Sequence, residues 1–281
     1  MDFPMKIKFG IRPKTLFYDS ETDIKVKTIM HPPENYKEIC YKMLMSTWAD
    51  YSSSNDRDTV EAENKAFMQI LKFEVLPNSL ESLVFTFCIE GLTLVEVTHL
   101  LRHRTFFGIH AQCTADRFLQ EDSVFIPTSI KNSKFKDEYI ELTKKAAQLY
   151  TAMVDSKEIS LLDARYILPR NNRYFYYVSM NLKDAMNFIN QRKCTAIQPE
   201  LDNILAKRIY EEISKYIPEI KKVVSLKCNS NCHAIKGPID KTSRIYQPDK
   251  NHAEFVTDSI GAEYFIYNKT RKQMGINYEV E

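Results

Sequence analysis

The sequence predicts an α+β protein, with helices packed around a modest central sheet. Segments of strand-forming residues lie between long amphipathic stretches, and the two kinds alternate irregularly rather than in repeated strand–helix units. With 281 residues, 44% hydrophobic and 27% charged, the chain is long enough, and ordinary enough in composition, to bury a substantial core.

Taken in order, residues 34–48 follow Pro32-Pro33 and place Tyr36, Ile39, Cys40, Met43 and Leu44 at helical spacing, so a helix is expected there. The polar run 51–58 reads as a loop, and a second helix is expected over 59–73. From Ser82 to Glu90 the residues alternate, with Leu83, Phe85, Phe87 and Ile89 on one face and Val84, Thr86 and Cys88 on the other. That pattern predicts a strand with at least one buried face, closed by Gly91. Thr93 with Glu96 three residues later makes a capping box, opening a short helix whose buried side is Leu94, Val97, Leu100 and Leu101.

Residues 106–118 show no clear period and read as a loop. A long helix is expected over 136–154, with Tyr139, Leu142, Ala146, Leu149 and Met153 as its stripe, then a shorter one near 159–167 stopped by Pro169. Tyr174 to Met180 is rich in strand formers. Asn181 then serves as N-cap to a helix burying Leu182, Ala185, Met186 and Ile189. A last helix, over about 199–216, carries Leu201, Ile204, Leu205, Ile209 and Ile213 as its stripe. Beyond Val224 the pattern dissolves, so the expected organisation is one domain over 1–225 and an irregular C-terminal extension over 226–281.

Composition excludes several classes of function. Six glycines, none in a dinucleotide or Walker pattern, leave phosphate binding to side chains and helix ends. A net charge of +2 gives no case for a nucleic-acid partner. No apolar run approaches the length of a membrane span, and the first ten residues have no secretory pattern, so a cytoplasmic protein off the membrane is expected. The six scattered cysteines fit reduced thiols. Cys228, Cys232 and His233, with His252 downstream, fit no standard zinc spacing; reduced cysteines are the expected state, and no metal.

Three clusters could carry chemistry. Arg102-His103-Arg104 sits at a helix end, where it is either a solvated cationic cap or an anion site, since guanidinium forks match phosphate oxygens. Lys183, Asn187 and Asn190 share one face of their helix, as a surface stripe or as hydrogen-bonding groups for a ligand with fixed polar edges. Arg165, in Asp163-Ala164-Arg165, says little alone.

In combination and in this order, these segments resemble the flavin-dependent thymidylate synthases. Residues 80–91 look like the strand before that family's signature helix, and Arg102-His103-Arg104 like the opening of the signature, Arg-His-Arg followed by seven residues and a serine. Residues 163–169 match the Ala-Arg-x-x-Leu-Pro stretch. The run from Asn181 through residues 186–192 to Gln198 and Glu200 resembles the C-terminal signature.

The resemblance implies a homotetramer with FAD between subunits, NADPH as reductant, methylenetetrahydrofolate as carbon donor and a pyrimidine nucleoside monophosphate as substrate. It implies that dUMP is methylated at carbon 5 to dTMP. Arg102, His103, Arg104, Asn181, Lys183 and Asn187 would contact FAD. His99, Arg102, Arg165 and Arg192 would contact the nucleotide, with Arg192 activating it. The signature loop departs from the family: Gln112 stands in the serine's place with Cys113 beside it, and Arg117-Phe118 follow later than expected. Gln112, Cys113 and Arg117 are therefore the expected substrate contacts of a longer loop. The alternatives are an enzyme acting on another pyrimidine nucleotide or making a hydroxymethyl product, or a non-catalytic nucleotide-binding homologue.

Overall fold

A computed structural model describes residues 24–47, 59–103, 105–111, 124–192 and 200–224. Arg104, Gln112, Cys113, Arg117, Cys194 and the cluster of Cys228, Cys232, His233 and His252 lie outside the described residues, as does the expected boundary at 225/226.

The elements run β1 (Lys25–Met30), α1 (Tyr36–Met45), α2 (Val60–Leu71), a 3-10 helix (Pro77–Ser82), β2 (Val84–Thr93), α3 (Leu94–Leu100) and β3 (Phe107–Ala111). After these come α4 (Thr128–Lys131), α5 (Lys136–Ser156), α6 (Leu161–Ala164), a 3-10 turn (Arg165–Ile167), β4 (Arg173–Asn181), α7 (Leu182–Arg192), α8 (Glu200–Tyr216) and a final 3-10 helix (Pro218–Lys222). The four strands form one sheet in the order β1-β2-β4-β3, so the fold is α+β as expected.

By compactness the described residues fall into two units, one of residues 24–89, 100–109 and 177–224, the other of residues 90–99 and 110–176. In the first, Leu83, Phe85, Phe87 and Ile89 are buried as the alternation predicts, while Val84, Thr86 and Cys88 are half-buried. Of the α8 stripe, Leu201, Leu205, Ile209 and Ile213 are fully buried and Ile204 is half-buried, with α8 packing on α7, β1 and the final 3-10 helix. The Leu182 amide donates to the Leu83 carbonyl at 2.8 Å, tying the start of α7 to the start of β2. A polar knot anchors α1 to the final 3-10 helix: the Glu219 carboxylate accepts from the Tyr36 hydroxyl at 3.0 Å and pairs with Lys37 at 2.5 Å.

In the second unit the capping box forms as predicted, with Glu96 Oε2 accepting from the Thr93 amide at 3.1 Å and from the Thr93 hydroxyl. Loop and strand meet where the Phe125 amide donates to the Asn171 carbonyl at 2.8 Å. Arg173 is buried with its guanidinium carbon 5.4 Å from the Phe125 ring centroid.

Four expectations are corrected. Gly91 does not close β2; at φ +93°, a conformation glycine adopts freely, it carries the strand on to Thr93. Part of the expected loop 106–118 is the edge strand β3, whose hydrogen bonds come from β4 rather than from any pattern of its own. Gly108 accounts for the missing alternation: its φ is +58°, and a Cβ there would stand 3.2 Å from Ser179 Oγ. Leu101 is exposed, because α3 ends at Leu100. In α5 the buried face is Thr143, Ala147 and Tyr150, which leaves Leu142 68% and Leu149 50% exposed. β1 was not foreseen, since its lysines alternate with Val26 and Thr28 on an edge.

Candidate active site

The polar cluster of interest lies in the unit of residues 24–89, 100–109 and 177–224. It begins with α7. Asn181, the last residue of β4, caps this helix: its Oδ1 accepts from the Asp184 amide at 2.9 Å, and its Nδ2 donates to Asp184 Oδ2 at 2.7 Å. Lys183 pairs with Glu81 at 2.5 Å, Asn187 is exposed, and Asn190 is half-buried with Oδ1 shielded from solvent and without a hydrogen-bond partner. The predicted face of Lys183, Asn187 and Asn190 thus exists on α7, but Lys183 is already paired with a protein carboxylate.

At the C-terminal end of α7 stands Arg192, 7% exposed. Its Nη1 donates to Asp202 Oδ2 at 3.3 Å, and its Nε donates to His103 Nε2 at 3.4 Å. Its backbone carbonyl accepts from Asn203 Nδ2 at 3.3 Å, so α8 grips both ends of the residue. Because His103 accepts at Nε2, its ring proton is placed at Nδ1. That ring is stacked on Phe106 at 5.1 Å and set edge-on to Phe188 at 5.0 Å, which fixes its plane. A tight turn brings His103 here: its amide donates to the Leu100 carbonyl at 3.0 Å, and the Phe106 amide to the His103 carbonyl at 3.0 Å.

Burial pushes the Arg192 guanidinium below the usual arginine range, Asp202 opposes that shift, and the like charge of Arg102 adds to it. Arg102 itself is exposed. Two guanidinium groups that repel each other, one of them open to solvent, would gain from an anion, so the donor set fits a phosphate-bearing ligand.

Arg102, His103 and Arg192 are therefore brought together. His99 and Arg165 belong to the other unit, His99 half-buried near the end of α3 and Arg165 half-buried at the start of its 3-10 turn. Sequence reasoning missed Asp202, Phe106 and Phe188. A carboxylate set directly beside Leu201 on a helix with an apolar stripe was the available signal for the first.

Among the described residues, no group of three or more His, Cys, Asp or Glu side chains is placed to hold a metal. No helix among them is long and apolar enough to cross a membrane.

Comparison with known proteins places the chain in a family. The profile of the thymidylate synthase complementing protein matches residues 27–219. A flavin-dependent thymidylate synthase of Pyrococcus abyssi is 30% identical over 200 residues, covering 68% of this chain and 80% of that protein. One of Clostridium tetani is 25% identical over 228 residues, covering 74% and 90%. The UMP/dUMP methylase PolB of Streptomyces cacaoi, solved with 5-Br dUMP, superposes with a TM-score of 0.60 at 16% identity, over 73% of this chain and 96% of that one. Thymidylate Synthase X of Helicobacter pylori, solved with FAD and dUMP, superposes at 0.54 and 14% identity, over 70% and 97%. With a profile match over residues 27–219 and a 30% identical relative covered to 80% of its length, this chain belongs to the flavin-dependent thymidylate synthase family.

Proposed function

We propose that this chain binds FAD and dUMP and methylates carbon 5 of the uracil ring, taking the carbon from methylenetetrahydrofolate and reducing equivalents from NADPH. The observation that carries the reading is the buried guanidinium of Arg192, held by Asp202 and His103 with Arg102 close by in charge. A cation set against the uracil edge favours the ionised ring nitrogen, which makes carbon 5 more nucleophilic. Reduced flavin, when bound, supplies the hydride. The chain's own part is to bind phosphate through Arg102, to present Asn187 to the cofactor, and to hold the charge of Arg192 in one place. His99 and Arg165 complete the nucleotide contacts, with Gln112, Cys113 and Arg117 from the signature loop; Arg104 joins Arg102, His103, Asn181 and Lys183 at FAD.

The enzyme works as a homotetramer in the cytoplasm, its catalytic domain spanning residues 1–225. The exposed apolar residues of α5 supply surface for assembly. A second reading follows from the signature loop. Gln112 replaces a small hydroxyl with a larger group that both donates and accepts, which favours a different pyrimidine nucleotide.

The test is a titration of the purified protein with dUMP, UMP, dCMP and CMP, followed in the flavin spectrum. A yellow protein whose spectrum responds to dUMP supports the first reading, and a response to another nucleotide alone supports the second. A colourless protein that takes up no FAD overturns both.

A further inference from the structure

We propose that Asp202 is a positioning residue for Arg192, holding its guanidinium in the orientation that meets the nucleotide. The inference rests on the reading above, in which Arg192 touches the substrate.

Asp202 is 0% exposed, on a helix whose neighbouring inward positions are Leu201, Leu205, Ala206 and Ile209. A buried ion pair is a poor way to stabilise a core, because desolvating both charges offsets most of their attraction, and an apolar pair of similar volume would serve as well. The carboxylate therefore calls for a reason other than packing. Its geometry supplies one. Asp202 takes Nη1 and His103 takes Nε, so the planar guanidinium is held at two points from two different elements. His103 is itself fixed between Phe106 and Phe188. A long flexible side chain is thus ordered before any ligand arrives, and the entropy of ordering it is not charged to the reaction. The negative charge also offsets both the burial of Arg192 and the repulsion from Arg102.

Such a role should show in turnover more than in affinity. Asp202→Asn keeps the shape and one acceptor oxygen but loses the charge; Asp202→Ala loses both. The measurements are FAD occupancy, melting temperature, nucleotide Kd from the flavin spectrum, and kcat per bound flavin. Asp202→Asn is expected to lower kcat about tenfold while nucleotide Kd changes less than about threefold, with Asp202→Ala lower still.

The decisive arm is a double-mutant cycle with Arg192→Ala. In that background Asp202→Asn should cause no further loss, because there is no guanidinium left to position. Wild-type kcat in Asp202→Asn, or losses that simply add, would overturn the inference. So would loss of FAD and fold in both Asp202 variants, since Asp202 would then be structural. A fully active Arg192→Ala, by contrast, overturns the underlying reading of Arg192.

Discussion

Cys40 is fully buried in α1, with its thiol 3.8 Å from the Ser79 carbonyl. Burial pushes its pKa up to about 11, only partly opposed by that contact, so at neutral pH it is a protonated and unreactive thiol. Alkylation of the native protein should leave Cys40 unmodified, and peptide mapping by mass spectrometry will show it. The chemistry proposed here also needs no thiolate addition to the base. Cys113→Ala and Cys194→Ala should each keep kcat within about tenfold of wild type, where loss of a nucleophile costs several decades. A covalent adduct between nucleotide and either cysteine would count decisively against the flavin route.

At the scale of elements, α7 carries two demands on one residue. Asn181 caps the helix through its Oδ1, yet it is also a proposed FAD contact. Asn181→Ser should retain most of the cap and Asn181→Ala should cost about 1 kcal/mol of stability, read as a drop in melting temperature. If Asn181 also meets the cofactor, both variants should lose FAD affinity. Equal FAD affinity in all three proteins would confine Asn181 to capping.

This helix was legible because its signals are local: an N-cap, an apolar stripe and a cationic end. The same holds for β2, with its strict alternation, and for the Thr93–Glu96 box. β3 and β1 were not legible, because an edge strand takes its definition from the neighbour that supplies its hydrogen bonds. The stripe of α5 was misread by one helical step, since periodicity finds Leu142 and Leu149 but cannot say which of two apolar faces turns inward. In the site, Arg192 was found by its place in a signature. Asp202 was not, because its partner lies on another helix and no spacing rule links the two.

For the whole molecule, Leu142 and Leu149 stand seven residues apart on one face of α5, and both are exposed. The proposed tetramer needs apolar surface, and these leucines offer it. Leu142→Lys with Leu149→Lys should leave the melting transition cooperative and shift the protein to smaller species in sedimentation. An unchanged sedimentation coefficient would remove α5 from the interface.

The strand order has a consequence in time. β2 ends at Thr93, and its inner neighbour β4 begins only at Arg173. A chain synthesised as far as Asn172 holds β1 and β2, but one whole edge of β2 still lacks its partner strand. Everything that follows in the unit of the candidate site, α7 with Arg192 and then α8 with Asp202, is made later still. Closing so long a loop is entropically expensive before any contact rewards it. The pairing of β2 with β4 is therefore the sheet's longest-range strand contact in sequence, and the segment that carries Arg192 follows its second strand.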